Sequence, residues 1–160
     1  YAVTQLKLAS TTGLFAGITA GLITLLAAPV GGILGDRFGR KAVAGFSYGL
    51  ILLLIYPAFL YLNASPTLGT LVRIVTALGA LNAMGGAAII ITLAEIFPAE
   101  VRATGMSLVY ALGVAIFGGF GQFIVTWLIA ASGSPLAPAW YVMACALATL
   151  LALKAVPEMK

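Results

Sequence analysis

Histidine is absent from the sequence, cysteine occurs once, and only four residues are acidic. With Cys145 alone in an apolar run, neither an internal disulfide nor a Cys/His metal cluster can be assembled. No nucleophile and base pair is visible either, so an enzyme is not expected and no cofactor is called for. Charge itself is scarce: 8% of residues are charged, against about 25% in an ordinary soluble domain. A water-facing surface cannot be built from that supply. The net charge of +4 comes from lysines and arginines scattered singly or at turns, which excludes the groove-sized basic patch a nucleic acid requires. Residues 1–10 lack the basic start, short apolar core and small-residue cleavage site of a secretory signal. The first residue is Tyr1 rather than Met, and the chain is therefore expected to be a piece of a longer protein.

What is present is apolar sequence, 62% of the residues, with a mean hydropathy of +1.16. A membrane-crossing helix needs ~20 largely apolar residues. Charge and turn residues leave five such stretches, at 13–34, 42–62, 71–94, 105–130 and 139–156. The expected fold is all-α, a polytopic membrane bundle whose main partner is the lipid bilayer. Charged turns at 36–41 and 95–104 alternate with uncharged ones at 63–70 and 131–138, as antiparallel crossing demands. Arg37, Arg40, Lys41, Arg102, Lys154 and Lys160 fall on one side, against Lys7 and Arg73 on the other. The positive-inside rule makes the first side cytoplasmic, with the C-terminus there. Tyr61, Trp127, Trp140 and Tyr141 map to outer ends, where amphipathic rings favour the interface.

Between helices in lipid, close approach through small residues replaces hydrophobic attraction. Gly13, Gly17 and Gly21 form one such strip, Gly45 and Gly49 another, and Thr76, Gly79, Ala80, Ala83, Gly86 and Ala87 a third. Pro29 and Pro57 lie inside apolar runs, where each removes a backbone hydrogen bond. Gly118, Gly119 and Gly121 mark a weak point midway along the fourth stretch, as a static irregularity or as a hinge. Asn63, Ala64 and Ser65 match a glycosylation acceptor, but Pro66 and the short turn favour a plain turn.

One turn is denser in information than the rest. Gly32-Ile33-Leu34-Gly35-Asp36-Arg37-Phe38-Gly39-Arg40-Lys41 sets one acid, three bases and spaced glycines in a segment that can do little but reverse the chain. Gly35 and Gly39 permit tight backbone geometry, and Asp36 can accept from Arg37, Arg40 or a helix N-terminus. Bases alone would make it a topogenic loop. The complete pattern resembles the signature of the major facilitator superfamily: Gly, any, Leu-like, small, Asp, Arg, any, Gly, Arg, basic. Two spans later, Ala94-Glu95-Ile96-Phe97-Pro98-Ala99-Glu100-Val101-Arg102-Ala103-Thr104-Gly105 resembles that family's loop between helices ten and eleven. The resemblance implies helices eight to twelve of a twelve-helix fold, with the seventh helix and the N-terminal half absent. Within the superfamily, this run, Ala115 to Gly119, and Ser134 to Tyr141 are most similar to the metabolite:proton symporters, which carry citrate, dicarboxylates, 2-oxoglutarate, proline or betaine.

The resemblance implies alternating access about a central site, with the proton and a small organic acid as partners of the full-length protein. A zwitterionic osmolyte is the first alternative, drug efflux the next, and a non-transporting sensor or scaffold a reading of another class. Asp36, Arg37, Arg40, Glu95 and Arg102 are expected to form a cytoplasmic gating network, with Arg40 to Glu95 its principal pair and Gly32, Gly35 and Gly39 as the motif glycines. Polar groups within spans are expensive and so often functional. Asn82 and Gln122 are candidates for the substrate cavity, with Thr126, Tyr110 and Thr19 behind them. An interhelical hydrogen bond explains them equally well. Asp36, Glu95, Glu100 and Glu158 all map to the cytoplasmic edge or tail, so the proton-coupling group is expected outside this chain. Arg73 can attract anions to the entrance or simply snorkel to the interface.

Overall fold

The structure is a computed structural model and describes residues 10–155. Among these residues the secondary structure is helical: α1 (Ser10–Phe38), α2 (Arg40–Ala64), α3 (Leu68–Ile96), α4 (Arg102–Gly113), a π-helical stretch (Val114–Gly119), α5 (Gly121–Ser132) and α6 (Ala137–Ala155). α4, the π stretch and α5 run on as one span, so five helices are long and apolar enough to cross a membrane. The segment 1–9, the end of the fifth stretch at Val156, and Lys7, Glu158 and Lys160 lie outside the described residues.

The first four membrane-length helices extend beyond both ends of the apolar stretches that announce them. α1 reaches Phe38, so Asp36 and Arg37 belong to its last turn, and Arg40 and Lys41 open α2. Hydropathy marks where hydrocarbon begins, whereas the backbone ladder continues until a residue breaks it. Here the breaker is Gly39, whose φ of 92° is closed to side-chain-bearing residues without strain. At the other end Thr67 caps α3, its hydroxyl accepting from the Thr70 amide at 3.2 Å. Gly133, left-handed at φ 63°, closes α5 by donating its N–H to the Ile129 carbonyl. Pro138 stands in the first turn of α6, where its missing N–H is harmless. α1 and α2 continue through Pro29 and Pro57.

α3 is the centre of the bundle, packed against both α1 and α2, while α6 packs on α2. Near the Gly39 end, Val43, Ala44, Ala88 and Leu153 form a core with Leu34, Ile89 and Leu150 against it. Near the other end, Ala16, Leu62 and Leu71 do the same with Ile74 and Val75. Outward faces are apolar: Leu25, Leu53 and Phe123 are each about 70% exposed, which is tenable only in lipid.

The close crossings differ from the expected glycine strips. Among the described residues, Gly17, Gly21, Gly45 and Gly49 have no atom within 4 Å of where a Cβ would stand. The tight approach of α1 to α3 is at Gly31, where a Cβ would lie 2.5 Å from the Met84 Cα and carbonyl oxygen. α2 meets α3 at Gly85, where it would lie 2.9 Å from the Tyr48 ring and 3.0 Å from the Ser47 Cβ. Spacing identifies small residues on a helix; only the crossing point decides which of them a neighbour touches. In α3, Gly79 lies close to Ile23 and Ala83 is buried, so that strip does pack.

Tyr141 also differs from its expected place. Tyr61, Trp127 and Trp140 are largely exposed, but Tyr141 turns inward and donates its hydroxyl to the Phe117 carbonyl on the π stretch. A backbone carbonyl within a membrane-length helix draws the hydroxyl more strongly than the interface would.

Candidate functional site

The charged cluster forms where three helix ends meet. The Gly39 amide donates to the Gly35 carbonyl at 3.0 Å, and the Gly39 carbonyl accepts from the Val43 amide at 3.1 Å, so α1 passes into α2 through one residue. Gly35 is buried beneath Arg40: a Cβ there would stand 3.1 Å from the Arg40 Cγ. A Cβ at Gly32 would stand 3.9 Å from the Ile91 side chain. Arg40 is thereby held in its fork. One guanidinium nitrogen donates to Asp36 Oδ1 at 3.1 Å, and the other pairs with Glu95 Oε1 in the last turn of α3.

Each of these charges stands at the same-sign end of its own helix and beside the opposite-sign end of its neighbour. The cluster therefore gains nothing from any helix alone and exists only while α1, α2 and α3 remain together. Its side chains are accessible, 26% for Arg40, 66% for Asp36 and 44% for Glu95. Pairs that exposed contribute ~0 to 1 kcal/mol each. They can bias a balanced equilibrium but not lock it.

The other two expected members stand apart from this fork. The Arg37 guanidinium lies 5.5 Å from the centre of the neighbouring Phe38 ring. Arg102 donates its Nε to the Phe97 carbonyl at 3.2 Å, holding together the loop at 97–101. The reason is directional: Arg37 follows Asp36 by one residue and so points off another face of α1, while Arg102 opens α4 beyond the loop. That loop is held a second time by the Phe97 ring, which covers Gly105 so closely that a Cβ would come within 2.6 Å. Sequence reasoning did not find this clasp, although a glycine one turn into a helix was a usable signal.

The span residues are not gathered into one place. Thr19 donates its hydroxyl to the Phe15 carbonyl and Thr126 to the Gln122 carbonyl, each at 2.8 Å and each within its own helix. Tyr110 is 59% exposed on α4. Asn82 and Gln122 are exposed, and no hydrogen bond from either amide is found among the described residues. Of the two explanations open for this pair, an interhelical bond within residues 10–155 is thus not formed. Arg73 lies beside Gly69, back toward the start of α3, as a snorkelling side chain would.

Comparison with known proteins agrees with the motif. The family model for the Major Facilitator Superfamily matches residues 1–159. Among curated relatives, a citrate-proton symporter of Klebsiella pneumoniae is 39% identical over 82% of this chain and 31% of that protein. A citrate-proton symporter of Salmonella typhi is 32% identical over 95% of the chain and 35% of its own length. The ectoine/proline transporter ProP of Corynebacterium glutamicum is 30% identical over 89% and 28% respectively. The chain thus spans about a third of the length of the curated relatives it matches. No solved structure matches. A turn that meets every position of the signature, five membrane-length helices with Glu95 brought back to that turn, and a family match along nearly the whole chain make this a member of the major facilitator superfamily.

Proposed function

We propose that this chain is the greater part of the C-terminal half of a proton-coupled carrier that imports a small organic acid such as citrate or a dicarboxylate. The observation that carries the reading is the 39% identity to a citrate-proton symporter, sustained over 82% of the chain. The carrier lies in a bacterial inner membrane, with the Gly39 turn, the 97–101 loop and the C-terminus in the cytoplasm. The excess of Arg37, Arg40, Lys41, Arg102 and Lys154 at that end over Arg73 at the other supports this orientation.

The Arg40 fork to Asp36 and Glu95 is the cytoplasmic gate. It ties the ends of α1, α2 and α3 while the inner face is closed, and loosens as the two halves rock apart. Arg37 and Arg102 contribute as topogenic charges, and Arg102 also as the clasp of the loop before α4. Asn82 and Gln122 face the cavity and hydrogen-bond the substrate or its water, with Thr126, Tyr110 and Thr19 around them. The proton-coupling acid belongs to the remainder of the full-length protein, since Asp36, Glu95 and Glu100 stand at the helix ends.

The 30% identity to an ectoine/proline transporter favours a second reading, an osmolyte carrier built on the same gate. Counterflow in vesicles holding the full-length protein decides between them. Labelled citrate is expected to accumulate and to respond to an imposed inward proton gradient, with proline excluded. Uptake of proline alone would establish the osmolyte reading, and uptake of neither would remove both.

A further inference from the structure

The fourth span is the one most loosely held by its neighbours. Its inner end is fastened by the Phe97 and Arg102 clasp, and its middle by Tyr141 from α6. Between these points the helix is not regular. Its less exposed face passes through Met106, Gly113, Gly121 and Leu128, at intervals of seven, eight and seven residues. A continuous α-helix repeats a face about every seven residues. The extra residue in the middle interval is accommodated by the wider turns of Val114–Gly119. Everything beyond the stretch is consequently rotated by about one residue, ~100°, from where an unbroken helix would carry it.

We propose that Tyr141 is a positioning residue that holds this rotation. A change from π to α turns releases or recaptures backbone carbonyls, and in hydrocarbon a released carbonyl must find a donor. The Tyr141 hydroxyl supplies one to Phe117, from a side chain that a Cβ at Gly121 would meet at 3.5 Å. Gly113, Gly118, Gly119 and Gly121 lower the local preference for a regular α-helix, so little besides this bond selects the π form. At 3.2 Å the contact is longer than the ~2.8 Å usual for a hydroxyl donor. Losing it would leave that carbonyl without this donor in hydrocarbon. The rotation it maintains sets Gln122 and Thr126 against Ser107 and Tyr110, and its effect on transport rests on the reading of Gln122 and Thr126 as cavity residues.

The test uses the full-length transporter with no other reactive thiol and with Cys145→Ala, because Cys145 lies one turn from Tyr141 and meets its hydroxyl, where a serine would compete for it. Single cysteines are placed along 122–127 and probed with a membrane-impermeant maleimide. Tyr141→Phe, which removes one oxygen and keeps the ring, is expected to move the reactive positions by one residue. Vmax/KM for the transported substrate should fall about tenfold, mostly through KM, because polar groups are displaced rather than lost. Deleting Gly118 in the Tyr141→Phe protein removes the surplus residue, so a regular helix regains the original rotation. Labelling pattern and KM are both expected to return, a rescue that general loosening of the fold would not give. An unchanged labelling pattern in surface-expressed Tyr141→Phe, or failure of the deletion to restore it, would overturn the proposal. A shifted pattern with unaltered transport would uphold the positioning role and remove Gln122 and Thr126 from the cavity.

Discussion

At the scale of single residues, Arg40 shows why a position in a motif and a role in a structure are different facts. Three bases occupy the turn and all satisfy the same topological need. Arg40 reaches carboxylates on two sides, because it opens α2 opposite Asp36 and beneath the end of α3. Lysine would keep the charge but not the planar fork. Arg40→Lys in the full-length protein is therefore expected to insert normally and to transport about threefold to tenfold more slowly, the range that loss of one or two exposed pairs allows. Uptake normalised to surface protein checks this, and undiminished uptake in Arg40→Lys would dismiss the fork as a gate. The resemblance singles out Arg40 and Glu95, 55 positions apart in the chain, but the contact between them exists only when α3 lies against α1 and α2.

At the scale of elements, the helices were legible and their crossings were not. Apolar runs of ~20 residues can only be spans, so the five stretches correspond to five membrane-length helices, each longer than its stretch. Glycine spacing, by contrast, pointed to Gly17, Gly21, Gly45 and Gly49, which meet no neighbouring helix among the described residues, and passed over Gly31 and Gly85, which do. A Cβ at Gly31 would enter backbone atoms of Met84, which cannot yield as a flexible side chain can. Gly31→Ala is expected to cost about 1–3 kcal/mol or more by forcing α1 from α3. Gly49→Ala, in open space and in mid-helix, is expected to be neutral or to stabilise by up to ~1 kcal/mol. Thermal unfolding in detergent distinguishes the two, and equal midpoints would contradict the crossing at Gly31. Gly118, Gly119 and Gly121 did mark the irregular middle of the fourth span, but not that it takes π form. Glycines mark where a helix is weak, but the direction of the distortion depends on Tyr141, a residue on another helix.

At the scale of the whole molecule, the alternation of charged and neutral turns orders everything else. Gly39 and the 97–101 loop lie at one end of the bundle, with the 65–67 and 133–136 turns at the other, as successive antiparallel spans require. Single cysteines at Gly39 and Ala99 are expected to be protected from an impermeant thiol reagent in intact cells, and cysteines at Pro66 and Pro135 to react. Labelling of positions 39 and 99 from opposite sides would break the bundle topology itself. The exposed apolar faces of α1 and of the fourth span belong to the same scale, because faces of that kind are tenable in lipid and not in water.

Hydropathy, turn charge and the signature motif determined by themselves that this chain is a five-span member of a transporter superfamily. Transfer into lipid and charge placement act on local sequence, so local sequence suffices to read them. Tertiary structure alone decided that Arg40 forks between Asp36 and Glu95, that Phe97 closes over Gly105, that Gly31 rather than Gly17 carries a helix crossing, and that Tyr141 turns inward to the fourth span. Each of these depends on where one helix axis meets another, a quantity that no single helix encodes.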